Sequence, residues 1–241
     1  MSALIHAATR VTAGVFLLCR CSPILQYAYN RNFYITIVGG RTAFLAATVG
    51  LLQTDIKRVI AYSTCSQLGY RIFAVGLTGY HAARLHLVNH AFFKALLFLG
   101  AGSVIHARAD EQDRRKRGGL RRLLPLTYTS RLVGSLALSG FPFLAGFYSK
   151  DLILEVAASA NEDSGFFVYV LGTLSAFFTA FYSRRLLYFI FLRPANGYRV
   201  SYEHAHEPSY FRSFPLVFLS FVSMFCGYFF RDIRALGGLD F

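Results

Sequence analysis

One stretch decides the fold: Asn89-His90-Ala91-Phe92-Phe93-Lys94-Ala95-Leu96-Leu97-Phe98-Leu99, with His86 one turn earlier. It is strongly apolar, yet it carries two histidines and a lysine, and we interpret it as part of a membrane-spanning helix. An ionisable group at the membrane centre is costly, by roughly 2.5–3.5 kcal/mol for Lys on insertion scales, and is usually kept for a function. The stretch therefore predicts a membrane protein that moves charge, with protons as the first candidate.

The composition supports a membrane location for the whole chain. Hydrophobic residues make up 55% and charged residues only 15%, whereas soluble domains carry about 25% charged residues. A membrane span needs about 20 apolar residues, and seven blocks qualify: 1–19, 33–52, 58–77, 83–106, 125–157, 165–192 and 210–230. We predict one all-α integral membrane domain over residues 1–241 with about seven transmembrane helices.

Charge and cysteine content exclude other classes of protein. A net charge of +13 would suggest nucleic acid as the partner of a soluble chain. The sequence has no phosphate-cradling or RNA-binding motif, so we expect membrane lipid rather than nucleic acid around it. The four cysteines form neither a metal pattern nor a disulfide framework.

The distribution of basic residues predicts the topology. Alternate loops 53–58, 107–124 and 193–209 carry 11 Lys and Arg residues, whereas loops 20–32, 78–82 and 158–164 with the tail 231–241 carry 4. The positive-inside rule places the first set on the cytoplasm-like side. The N-terminus is then expected inside and the C-terminus outside.

His86, His90 and Lys94 are spaced i, i+4, i+8 and therefore share one face of a helix. A proton or ion path is the functional interpretation. A hydrogen-bonded packing role is the alternative, and a metal site is a third, because two histidines at i, i+4 have ligand spacing. No third ligand is evident nearby, and Lys94 would repel a cation.

Lys150 follows a predicted helix break. Pro142 removes a backbone donor, and Gly140 and Gly146 flank it. Broken helices at membrane depth occur where the backbone is buried in protein or lines a polar cavity, and they mark transport sites. We predict that Lys150 loads and releases a proton, although it could also simply mark the membrane surface.

Two further residues are weaker candidates for the proton pathway. His6 is a lone histidine in an apolar block, where packing is an equal alternative. Lys57 lies with Asp55 in a short loop, where a solvated pair is the default.

Longer matches carry a resemblance to a family. They include Ser2–Thr9, Leu52–Thr64, Gly102–His106, Asp110–Asp113 and Gly146–Asp151, together with the His90–Leu99 stretch. On these residues the chain closely resembles the mitochondrial NADH dehydrogenase subunit 5 family, the distal antiporter-like subunit of respiratory complex I. The resemblance weakens after about residue 192.

The resemblance implies a fold of two inverted five-helix repeats, of which this chain matches the family's helices eight to fourteen. It places His6 on the eighth helix, His86, His90 and Lys94 on the eleventh, and Lys150 on the twelfth. It also implies a multi-pass protein of the mitochondrial inner membrane, with the N-terminus in the matrix and the C-terminus in the intermembrane space.

The chain departs from the family in two ways. The family's fifth-helix glutamate, seventh-helix lysine and lateral helix are missing. Either separate chains supply the N-terminal helices and the lateral helix, as we expect, or this sequence is part of a longer chain. Arginines also occupy positions where an apolar residue such as Met is expected: Arg10, Arg41, Arg71, Arg84, Arg108, Arg114, Arg117 and Arg131. These arginines would be explained if one codon that is translated here as Arg is decoded in the organelle as Met or a small residue. Genuine arginines paired within an assembly are the alternative.

The sequence therefore predicts a proton-translocating membrane-arm subunit of complex I with no redox site of its own. The resemblance implies FMN, iron–sulfur clusters and ubiquinone for the whole complex, and other membrane-arm subunits as partners. The alternative is a subunit of a multisubunit cation/proton antiporter. A membrane spacer that has lost pumping is a third possibility.

Overall fold

The computed structural model describes residues 9–108, 111–160, 163–197, 202 and 205–236, and the regular structure within them is helical. In chain order the helices are α1 (Arg10–Arg20), α2 (Ser22–Leu25), α3 (Tyr29–Leu52), α4 (Ile56–Gly76), α5 (Tyr80–His106), α6 (Pro125–Ser139), α7 (Ala145–Ser159), α8 (Asp163–Leu187) and α9 (Tyr210–Leu236). A 3₁₀ turn at Arg114–Lys116 precedes α6, and a π-helical turn at Tyr188–Leu192 extends α8. The predicted all-α class is confirmed.

Four helices in the described ranges are long and apolar enough to cross a membrane, fewer than the seven blocks of the sequence. They are Asn30–Leu52, Tyr80–His106, Asp163–Leu192 and Tyr210–Phe230. The fifth block is divided into α6 and α7, each of 15 residues and too short to span alone. Helix α4 has 21 residues but contains buried polar side chains that lower its hydropathy.

The core around α4 holds the site together. Helices α3 and α4 pack closely through small residues, and the Ser66 hydroxyl donates to the Ala43 carbonyl at 2.9 Å. Tyr70 and Phe73 of α4 are fully buried in a cluster with Ile153 of α7 and Val168 of α8. Helix α4 is therefore surrounded by the helices that supply the candidate site.

The helix break lies at residues 140–144, between α6 and α7. Gly140 ends α6 with a φ of 82°, in the left-handed region that favours glycine. A Cβ atom at Gly146 would lie only 1.7 Å from the Ala137 carbonyl oxygen. Glycine is therefore required there, because the first turn of α7 is in direct contact with the last turn of α6.

The connection between α5 and α6 folds back onto the start of α4. Asp113 forms an antiparallel bridge with Asp55, and the Ile56 amide donates to the Gln112 carbonyl at 3.3 Å. Hydrogen bonds from Arg115 hold the pKa of Asp113 below its usual value, and the Asp113 amide lowers the pKa of Glu111. Desolvation lowers the pKa of Arg114 to about 10. Residues 111–115 thus pack against the start of α4 at this end of the bundle.

Candidate functional site

Helix α5 buries all three ionisable groups of the predicted stripe. His86 is 1% exposed, and His90 and Lys94 are fully buried. The two imidazole centroids lie 5.9 Å apart, and the His90 and Phe93 ring centroids lie 5.2 Å apart in a T-shaped arrangement. The helical spacing thus places three proton-binding groups in one continuous buried row.

His86 connects α5 to two other helices. Its Nε2 lies 3.1 Å from the Gln67 Oε1 atom of α4, and its Nδ1 lies 3.0 Å from the Ser149 Oγ atom of α7. With an oxygen facing Nε2, we assign the ring proton of the neutral form to that nitrogen. Ser149 also lies 3.2 Å from the Ala145 carbonyl oxygen in the first turn of α7.

His90 differs from His86 in its surroundings. Neither of its ring nitrogens has a hydrogen-bond partner within the part of the chain that the structure describes. The neighbouring Asn89 donates to the Ala145 carbonyl at 3.0 Å. Helix α5 is therefore tied to the start of the half-helix α7 both through Asn89 and through His86.

Lys94 contacts oxygen atoms of α4. Its ammonium donates to the Ser63 hydroxyl, which in turn donates to the Ile60 carbonyl at 2.8 Å. The ammonium also lies 3.4 Å from the Ile60 carbonyl oxygen. These neutral acceptors solvate the ammonium without pairing it with a carboxylate.

Lys150 is buried within the protein, with 3% of its surface exposed. Its ammonium donates to the Thr179 hydroxyl of α8 at 3.0 Å and lies 5.2 Å from the centroid of the Tyr70 ring. Asp151 is its neighbour along the chain. Lys150 and Lys94 therefore share one arrangement, in which a buried ammonium is held by a hydroxyl group.

The remaining predicted site residues lie elsewhere. Lys57 is exposed at the start of α4, and His6 lies outside the described residues. Among the residues described, no group of three or more His, Cys, Asp or Glu side chains could hold a metal ion. The i, i+4 histidine pair thus has no visible third ligand.

Sequence reasoning missed the polar residues that contact the stripe. Ser63, Gln67 and Arg71 are buried on α4 with the same i, i+4, i+8 spacing as the stripe on α5. That spacing was a usable signal. Ser149 and Thr179 could not be recognised from the sequence, because single hydroxyl residues are common in apolar helices.

The arginines show a mixed pattern. Arg71, Arg108, Arg114, Arg117 and Arg131 are buried, whereas Arg41 is exposed and Arg84 is partly buried. All three guanidinium nitrogens of Arg71 lack a hydrogen-bond partner in the described ranges, as do two nitrogens of Arg131. A buried guanidinium without acceptors is costly, so these positions favour an uncharged residue.

Comparison with known proteins agrees with this arrangement. The family model described as NADH:quinone oxidoreductase/Mrp antiporter, TM matches residues 1–179. Over all 241 residues the chain is 58% identical to NADH-ubiquinone oxidoreductase chain 5 of Phytophthora infestans and 54% identical to that of Arabidopsis thaliana. It spans 36% of the length of each of these relatives.

Solved structures share the fold. A chain of the Mrp complex from Dietzia sp. DQ12-45-1b superimposes with a TM-score of 0.81 at 29% identity, covering 94% of this chain and 24% of that chain. A chain of an archaeal membrane-bound sulfane sulfur reductase superimposes with a TM-score of 0.73, also at 29% identity, over 81% of this chain and 32% of that one. The site geometry, the family model and these likenesses agree: the chain belongs to the NADH:quinone oxidoreductase/Mrp antiporter transmembrane family.

Proposed function

We propose that this chain is a proton-translocating part of the membrane arm of NADH:ubiquinone oxidoreductase in the mitochondrial inner membrane. It contributes part of a proton half-channel, coupled to NADH oxidation by ubiquinone elsewhere in the assembly. The observation that carries the proposal is the buried row His86–His90–Lys94, which contacts the same broken helix that bears Lys150.

The histidines and the lysines of the site have different roles in the proposed proton pathway. The imidazoles of His86 and His90 accept and pass on protons, as neutral histidine can near physiological pH. Lys94 and Lys150 store a proton as ammonium on hydroxyl partners. We further propose that His6 and Lys57 belong to the approach to this row, as members of the same pathway.

The relatives favour the respiratory complex over an antiporter. The curated relatives, at 54–58% identity over the full chain, are named NADH-ubiquinone oxidoreductase chain 5. The Mrp complex chain is an excellent structural match but only 29% identical. A subunit of a multisubunit cation/proton antiporter is therefore the second candidate.

This proposal includes partners and an orientation. Other membrane-arm subunits surround the chain, which forms a single transmembrane unit. FMN, iron–sulfur clusters and ubiquinone are bound elsewhere in the assembly, and this chain holds no cofactor. From the excess of basic residues in loops 53–58, 107–124 and 193–209 we propose that those loops face the matrix, with the N-terminus on the same side and the C-terminus in the intermembrane space.

The experiment is to isolate the native assembly that contains this chain and to identify the subunits that co-purify with it. We expect the chain to co-purify with flavin and iron–sulfur subunits. We also expect NADH to drive proton uptake into vesicles, and this uptake should require a quinone acceptor. Recovery with a few small membrane subunits and sodium-driven proton exchange without NADH would instead establish the antiporter.

A further inference from the structure

Ser149 lies between the His86 ring and backbone carbonyls of its own helix. Its Oγ atom lies 3.0 Å from Nδ1 of His86, 3.2 Å from the Ala145 carbonyl oxygen and 3.4 Å from the Gly146 carbonyl oxygen. A serine hydroxyl has one proton to donate and can also accept. The hydroxyl can therefore donate either to the ring nitrogen or to a carbonyl, of which Ala145 is the nearer, and a rotation about the Cβ–Oγ bond exchanges them.

The opposite side of the His86 ring is fixed. Its Nε2 lies 3.1 Å from the Gln67 oxygen, which can only accept, so this nitrogen carries a proton in both states of the ring. Protonation of neutral His86 must therefore add the second ring proton at Nδ1, the nitrogen that faces Ser149.

Each position of the hydroxyl matches one state of His86. When His86 is neutral, Nδ1 is an acceptor, and the Ser149 hydroxyl donates to it. When His86 is an imidazolium, Nδ1–H donates to the Ser149 oxygen, and the hydroxyl proton turns to the Ala145 carbonyl. Both states are then fully hydrogen-bonded in a site where His86 and Ser149 are at most 1% exposed.

We propose that Ser149 is a positioning residue whose hydroxyl turns between His86 and Ala145, and so keeps His86 hydrogen-bonded in both its neutral and its protonated form. The proton that forms the new Nδ1–H bond leaves a neighbouring ammonium or imidazolium of the site, which becomes neutral. No other bond is made or broken. This inference rests on the proposed proton-translocating function and names a residue that makes it work.

The same rotation links His86 to the broken helix. The Ala145 carbonyl lies in the first turn of α7 and already accepts a hydrogen bond from Asn89 at 3.0 Å. When Ser149 turns to this carbonyl, it shares the acceptor with Asn89. A change in the protonation state of His86 therefore changes the hydrogen bonds of the helical turn that precedes Lys150.

The experiment compares Ser149→Ala with Ser149→Thr in the intact assembly. Ser149→Ala removes the hydroxyl and should lower proton translocation by about tenfold, whereas Ser149→Thr keeps the hydroxyl and should restore most of it. Ser223→Ala is the matched control, because Ser223 is equally buried and bonds only to the Ser220 carbonyl of its own helix. Translocation by Ser149→Ala equal to that of the control would overturn the proposal.

A second measurement needs no turnover. Infrared difference spectra after a pH jump, with His86→Asn used to identify the His86 bands, should show conversion of His86 between its neutral and charged forms in the unmodified assembly. Ser149→Ala should lose that conversion over the same pH interval, even if a bulkier Ser149→Thr variant assembles poorly. Unchanged His86 bands in Ser149→Ala would refute the hydroxyl switch. An unmodified assembly that shows the conversion but pumps no protons would refute the proposed function alone.

Discussion

The two buried lysines of the site are held by hydroxyl groups rather than by carboxylates. Lys94 donates to Ser63, and Lys150 donates to Thr179. A carboxylate partner would form a strong charge-assisted pair and fix the ammonium in its protonated form. A hydroxyl accepts the hydrogen bond and adds no opposing charge, which suits a group that must release its proton.

Replacing Thr179 by Val tests this pairing. The variant keeps the shape of the side chain but removes the acceptor of the Lys150 ammonium. Since a hydrogen bond to a charged group contributes about 1.5–3 kcal/mol, proton translocation should fall about tenfold while the assembly persists. Thr173→Val is the matched control on the same helix, because the Thr173 hydroxyl is exposed and bonds only to the Val170 carbonyl. Equal effects of the two variants would contradict a specific role for Thr179.

The buried arginines lead to a prediction about the chemical identity of the chain. Arg71 and Arg131 are at most 2% exposed, and most of their guanidinium nitrogens have no acceptor among the described residues. We expect peptide mass spectrometry of the native protein to find a residue other than Arg at positions 71 and 131, and also at positions 10 and 41, where the family resemblance leads us to expect an apolar residue. Trypsin cleavage at these positions, giving peptides that end in Arg, would contradict this and would require acceptors from partner subunits.

At the residue scale, the sequence predicted the groups that carry charge but not the groups that hold them. The spacing of His86, His90 and Lys94 alone was sufficient to place them on one face. Gln67 shares a helical face with Ser63 and Arg71, which was a usable signal, whereas Ser149 and Thr179 could not be predicted, because they contact residues that are distant along the chain. Pairing across helices depends on tertiary packing that local spacing does not contain.

The discontinuous helix is the main feature at the scale of elements. Helix α6 ends at Ser139, α7 begins at Ala145, and the two ends contact each other at Ala137 and Gly146. Pro142 and the flanking glycines made this break predictable. The division into two half-length helices explains why this block does not appear among the four described helices that meet the length and hydropathy of a span.

Gly146→Ala tests the contact between the two half-helices. The added methyl group would lie 1.7 Å from the Ala137 carbonyl oxygen, so the helices must separate. We expect a loss of about 3 kcal/mol or more in stability and little assembled protein, measured by thermal unfolding and by native gel. Gly102→Ala is the control, since a Cβ atom there meets nothing within 4 Å. A Gly146→Ala assembly as stable as the control would show that this contact is not required.

The whole molecule presents a strongly apolar surface. Exposed aromatic residues are concentrated on α9, including Phe214, Phe218, Phe221 and Phe225. The connection between α5 and α6 carries a cluster of charged residues, including the exposed Arg121 and Arg122. This division agrees with the multi-pass membrane character predicted from composition.

Labelling of single cysteines tests the orientation. Arg122→Cys and Ser159→Cys place exposed residues in loops that the basic-residue count assigns to opposite sides. A membrane-impermeant reagent should label Arg122→Cys only from the matrix side and Ser159→Cys only from the other side, with the parent chain as the baseline. Labelling of both from one side would refute the predicted topology.

The central claim is that Lys150 carries a proton through this chain. Its most direct test is the number of protons translocated per pair of electrons in reconstituted membranes, compared for the native assembly, Lys150→Ala and Lys150→Arg. We predict that both variants assemble and that both translocate far fewer protons. Alanine cannot bind a proton, and arginine cannot release one at accessible pH. A Lys150→Ala assembly that translocates the native number of protons would contradict the account.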